Sequence, residues 1–124
     1  MQKNKPPLIS YVRNILVQYH YMSPKQKKQS VVIDLKKTLP LLKRSDVSFV
    51  GVFGSYARGD QSPNSDIDLL VRFAKPKGLL GLIRLERLLS EKLQRKVDLV
   101  TERALSPYIR DNVLNDLQVI YGEI

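Results

Sequence analysis

Two hydrophobic periods alternate along this chain, and each change of period marks a new element. Leu8, Ile9, Val12, Ile15, Leu16 and Tyr19 fall at helical spacing and predict an amphipathic helix over Leu8 to Met22, after a polar start, Met1 to Pro7, that ends in a proline pair. Ser23-Pro24 places a capping hydroxyl before a first-turn proline, so a second helix is expected from Pro24 to about Lys37, with Val32, Leu35 and Leu39 as its stripe and Pro40 bending or ending it. The period then changes. Val47 to Phe53 reads as an apolar strand, Gly54 and Ser55 as a turn opening a short helix completed by Ala57, Arg58 and Gly59, and Gln61 to Ser65 as a loop. A second strand follows from Asp66 to Phe73 and should lie beside the first. After the break at Lys75 to Gly78, Leu79 to Leu93 is the longest helical pattern, with Leu79, Leu82, Ile83, Leu85, Glu86, Leu89 and Leu93 on one broad face expected to be buried. Lys96 to Thr101 predicts a third strand, and Ser106-Pro107 starts a last helix running to about Leu117. The fold class is therefore α/β (α+β), a small mixed sheet flanked by helices.

Alternation on the second strand decides its chemistry. With a period of two, Asp66, Asp68 and Leu70 share one face, and Ile67, Leu69 and Val71 share the other. Two like charges that close are poor strand residues, and they call for a cation between them, most simply a divalent metal with oxygen ligands. Asp98 interrupts the apolar third strand and needs a partner as well, either that cation or an ion pair with Arg95 or Lys96. Upstream, Gly54 lets the backbone approach a ligand closely, and Ser55 is placed to cap the turn with its hydroxyl and nearby N–H groups facing an anion. A phosphate cradle beside a metal site suits nucleotide chemistry.

Composition narrows the picture. The 124 residues fit one domain, without cysteine and with His20 as the sole histidine, so thiolate and multi-histidine sites are excluded and any metal must be held mainly by oxygen. Residues 1–44 hold ten cations against Asp34, whereas the rest balances eleven cations with eleven acids, so the net charge of +9 resides entirely in the N-terminal third. This divides the chain into a basic extension, 1–28, carrying the first helix, and a main domain, 29–124. The Lys25, Lys27, Lys28 cluster is a solvated face or a footprint for RNA or an acidic partner, and Arg13 with His20 on one helix face reads as surface or interface. Apolar runs are too short to cross a bilayer, and Arg13 and Asn14 break the only stretch that could begin a signal peptide, so a cytoplasmic protein is expected.

Gly54-Ser55, then Asp66-x-Asp68, then Asp98 resemble the nucleotidyltransferase superfamily typified by DNA polymerase beta. More closely, the blocks GSYARGD, SDIDLLV, GLLGLIRLERLLSEKL and KVDLVTERALSPYIR resemble the minimal nucleotidyltransferases, the antitoxin halves of MNT/HEPN toxin-antitoxin pairs; the likeness runs from about Leu35 to the C-terminus. It implies a polymerase-beta-like fold with the third strand next to the second. It further implies two Mg²⁺ ions held by Asp66, Asp68 and Asp98, ATP as donor with its β- and γ-phosphates on Gly54 and Ser55, and transfer of AMP to a tyrosine hydroxyl of a cognate HEPN RNase toxin. On this pattern Arg58 is a phosphate contact or the partner of Asp60, Ser65 a nucleotide contact or a turn residue, and Tyr56 a packing residue. A small hydroxylated acceptor such as an aminoglycoside, or a non-catalytic antitoxin that only binds its partner, are the competing expectations. Nucleic acid is not the expected primary partner, and a homo- or hetero-oligomer is left open.

Overall fold

The computed structural model describes residues 21–123; the helix expected over Leu8 to Met22, with Arg13 and His20, falls almost wholly outside them. Helix α1, Pro24–Lys37, starts where Ser23 predicts. A full capping box forms there: Gln26 N–H donates to Ser23 Oγ at 3.2 Å, and Ser23 N–H donates to Gln26 Oε1 at 2.8 Å. The boundary expected at 28/29 lies inside this helix. Pro40 lacks the N–H that a continuing helix needs, so α1 stops at Thr38, whose hydroxyl donates to Leu35 O at 2.6 Å. A second short helix, α2, Leu39–Arg44, restarts at once with Pro40 in its first turn.

Strand β1, Val47–Phe53, is followed by α3, Ser55–Arg58, and then by β2, Ile67–Phe73. Asp66 thus sits one residue before β2 rather than inside it. Helix α4, Leu79–Leu93, leads to β3, Val97–Thr101. A 3-10 turn, Glu102–Ala104, and α5, Pro107–Asp116, precede β4, Gln118–Tyr121. The sheet order is β3-β2-β1-β4. β1 is antiparallel to both β2 and β4, and β3 is parallel to β2, as a crossover through a helix requires.

The two faces of the sheet are covered unequally. Val50, Val52, Ile67, Leu69, Val71, Val97 and Leu99 pack against Leu35 and Leu42 from α1 and α2 and against Leu85 and Leu89 from α4. Each fully buried leucine in this layer contributes about 1.5–3 kcal/mol. The opposite face, with Phe49 and Leu70, is covered by Val113 of α5 and by Leu105 and Leu117. The alternation that buries Leu69 and Val71 under the thick layer turns Asp68, Leu70 and Arg72 toward this thinner one.

The face of α4 is narrower than its pattern predicts. Leu85 and Leu89 are buried, and Leu82 and Leu93 pack against the core on the same side, but Leu79 is 71 % and Ile83 46 % exposed, because the helical rotation carries them to the flank of that stripe. Glu86, expected on the buried face, has a purpose there: its Oε2 accepts Leu99 N–H at 2.9 Å, and Ser90 Oγ accepts Val97 N–H at 3.0 Å. These are outward N–H groups of edge strand β3, which α4 covers and satisfies.

Candidate active site

Three segments meet at the end of the sheet where β1 finishes and β2 and β3 begin. Phe53 pairs with Asp68 across β1 and β2, and Asp68 lies opposite Asp98 across β2 and β3. Strand spacing thus sets the backbones of the two acids about 4.8 Å apart. Asp66 enters from the loop before β2, a loop held by Arg95, whose Nη1 donates to Pro63 O at 2.6 Å, and by Ser65 Oγ, which accepts Ser62 N–H at 2.9 Å and shares a 3.2 Å hydrogen bond with Ser62 Oγ. Ser65 therefore acts as the turn residue that delivers Asp66.

Gly54 forms the facing wall. Its φ of 74° and ψ of −152° belong to a region open essentially to glycine, and a Cβ placed there would stand 2.6 Å from Asp68 Oδ2. The chain at residue 54 thus passes close to the Asp68 carboxylate, in space that a side chain would fill. Gly54 also occupies the N-cap of α3, so Ser55 is the first helical residue and not the side-chain cap expected of it. Ala57 and Arg58 N–H both donate to Gly54 O at 3.1 Å, and Ser55, the first residue of the helix, directly follows the glycine that faces Asp68. Gly59 ends the helix in the left-handed conformation, at φ 79°, instead of extending it. Tyr56 is buried in the core, as a packing residue should be.

The electrostatics follow from this crowding. Burial raises the pKa of the half-buried Asp68 carboxyl above its ordinary 3.8, Asp98 and Asp66 raise it further, and Arg58 and Lys96 pull it back. Arg58 Nε donates to Asp60 Oδ2 at 3.0 Å and its Nη1 to Asp116 Oδ2 at 2.7 Å, which ties the turn after Gly54 to the end of α5. Lys96 Nζ stands 3.6 Å from Asp66 Oδ2 and 3.9 Å from Asp98 Oδ1.

The structure therefore brings Asp66, Asp68, Asp98, Gly54 and Ser55 to one end of the sheet. Among the described residues, no three acids are drawn into a closed cluster ready to grip an ion, and Lys96 stands near two of them. The donors are all carboxylate oxygens, and the like charges raising the Asp68 pKa would be relieved by a hard cation, so the residues fit Mg²⁺. Asp116 as partner of Arg58 was not foreseen, because its 58-residue separation leaves no local signal. The placement of Lys96 did have one: residues 96 and 98 are two apart and share a face.

Comparison with known proteins agrees with this geometry. The family model described as nucleotidyltransferase domain matches residues 34–120. A candidate protein adenylyltransferase of Methanocaldococcus jannaschii is 42 % identical over 81 residues, 65 % of this chain and 87 % of that protein. The protein adenylyltransferase MntA of Thermococcus cleftensis is 39 % identical over 89 residues, covering 72 % and 88 % of the two chains. Among solved structures, a minimal nucleotidyltransferase superposes with TM-score 0.64 at 36 % identity, covering 79 % of this chain and 96 % of the other. A toxin-antitoxin crystal structure with AMP-PNP superposes with TM-score 0.63 at 29 % identity and 73 % coverage of both chains. The MntA-HepT toxin-antitoxin complex gives 0.58 at 25 %, covering 73 % and 72 %.

Proposed function

This chain belongs to the nucleotidyltransferase domain family, and on that premise we propose that it is a Mg²⁺-dependent protein adenylyltransferase, moving AMP from ATP to a tyrosine hydroxyl of a HEPN-type toxin and so serving as its antitoxin. The observation that carries the proposal is the register: Asp68 lies opposite Asp98, with the Gly54 backbone against the Asp68 carboxylate. Names of the relatives support the reaction and its protein acceptor, since they are protein adenylyltransferases, and a HepT toxin accompanies one structural neighbour.

In this reaction the acceptor oxygen bonds to the α-phosphorus of ATP, the bond from that phosphorus to the bridging oxygen of the β-phosphate breaks, and pyrophosphate departs. Asp66, Asp68 and Asp98 would hold the divalent ions, which, when bound, offset the negative charge that develops on the phosphoryl oxygens and the leaving group. Gly54 permits the triphosphate to approach the chain, and the first N–H groups of α3, with the Ser55 hydroxyl, hold its β- and γ-phosphates. Arg58 ties that turn to Asp60 and Asp116 and would be a further contact for the same phosphates. Asp98, opposite Asp68 on β3, would hold the ion on the acceptor side and help remove the proton of the hydroxyl. No helix among the described residues is long and apolar enough to cross a membrane.

The test is to incubate the protein with ATP labelled at the α-phosphate, Mg²⁺ and its HEPN-type partner. Label and a mass increase of AMP should appear on a tyrosine of the partner and vanish with Asp66→Asn or Asp68→Asn. Label confined to small molecules or RNA refutes the protein acceptor, and label unaffected by either substitution refutes the site.

A further inference from the structure

The carboxylate cluster already contains a cation of its own, and we propose that the Lys96 ammonium is a built-in counter-ion, held between Asp66 and Asp98, that a divalent ion must displace in order to bind. The inference rests on the metal role proposed above. It goes beyond that role by assigning a residue that competes with the metal.

Lys96 is anchored at its base and loose at its tip. Its carbonyl accepts Ile67 N–H at 2.9 Å, which fixes the root of the side chain beside the residue that follows Asp66. From there Nζ reaches acids on two different segments, Asp66 Oδ2 at 3.6 Å in the loop before β2 and Asp98 Oδ1 at 3.9 Å on β3, while the side chain stays 70 % exposed. An ammonium is a compact point charge on a flexible stem, suited to filling the gap between carboxylates without directional bonds. Both separations exceed hydrogen-bond length and lie in water, where such pairs are weak, so the lysine restrains the acids without locking them. A doubly charged ion at coordination distance from the same oxygens outcompetes it. The cost of moving one positive charge aside at about 4 Å in a solvated site corresponds to a roughly three- to tenfold reduction in affinity for free metal.

Titration of free Mn²⁺ into nucleotide-free protein, followed by calorimetry or by electron paramagnetic resonance, tests this. Lys96→Gln should bind Mn²⁺ about three- to tenfold more tightly than the wild type, with Lys96→Arg no tighter than the wild type because it retains the charge. Lys75→Gln, which removes an equal charge beside Asp46 beyond the far end of β2, should also leave the affinity unchanged. Asp68→Asn should weaken binding. The side chain of Lys96 is exposed, so the variants should fold, and circular dichroism checks that they do. If Asp68→Asn lowers affinity but Lys96→Gln is no tighter than the wild type, or Lys75→Gln tightens as much as Lys96→Gln, the counter-ion role is refuted while the metal site stands. If Asp68→Asn binds Mn²⁺ as the wild type does, the metal site falls and the counter-ion with it.

Discussion

Replacing Gly54 by alanine probes the corner on which the site depends, and its cost can be worked from two independent features. The first is conformational: φ 74° with ψ −152° is a backbone state essentially reserved for glycine, and forcing a residue with a Cβ into it costs about 1–3 kcal/mol. The second is steric. The new methyl would lie 2.6 Å from Asp68 Oδ2, far inside contact distance, so the carboxylate or the turn must move, at about 1–2 kcal/mol more. The sum is about 2–5 kcal/mol, a fall in Tm on the order of 10 °C for a domain of this size. Gly78→Ala is the matched control, since φ there is −71° and nothing lies within 4 Å of its added Cβ; it should change stability by less than about 0.5 kcal/mol. Urea and thermal unfolding of the two variants give the energies. Adenylyl transfer measured at a temperature where Gly54→Ala is still folded gives the chemical consequence, which should be a loss of at least tenfold because Asp68 no longer sits against the backbone. Wild-type stability together with wild-type turnover in Gly54→Ala, or an equal loss in Gly78→Ala, would refute the claim that this corner is shaped around the carboxylate.

Other residues offer separate tests. Because the folded-state pKa of Asp68 is raised above 3.8, its charged form opposes folding: the penalty is absent below the unfolded value and grows as pH rises through the folded one. Asp68→Asn should therefore raise apo stability at pH 7, by less than about 1 kcal/mol given the solvent screening at a half-buried group, and should flatten the pH dependence on the acid side even as turnover is lost. A lower Tm at pH 7 would contradict this. Glu86→Ala leaves the Leu99 N–H without its acceptor and should cost about 1–2 kcal/mol in urea unfolding, with slower transfer because Asp98 rides on the same strand; unchanged protection of Leu99 in amide hydrogen exchange would speak against it. Arg58→Ala removes two exposed ion pairs and should lower stability by less than about 1 kcal/mol while raising the KM for ATP several-fold; an unaffected KM would confine Arg58 to its pairing with Asp60 and Asp116.

Local pattern was enough to place most of this molecule. The Ser23-Pro24 start, the strand over Val47–Phe53, the helix over Leu79–Leu93 and the last helix from Pro107 lie where period, caps and prolines put them, because each is decided by neighbours within a few residues. Period-two alternation likewise foretold that the carboxylate of Asp68 would turn away from the face that buries Leu69 and Val71. What it did not contain was anything that depends on a distant partner. The strand Gln118–Tyr121 is four residues long and exists only by pairing with the edge that β1 offers, where Gly51 leaves room for the Leu117 side chain. Leu79 and Ile83 belong to the same broad helical pattern as Leu85 and Leu89, and only the packed structure shows how narrow the covered stripe is. Arg58 meets Asp116, and Lys96 reaches Asp66, only after the chain has closed. Sequence determined which residues could serve as strand, helix, cradle and acid, since those properties travel with a few consecutive positions. The pairing of strands across long loops determined which charges became neighbours, and that is where the chemistry of the site is set.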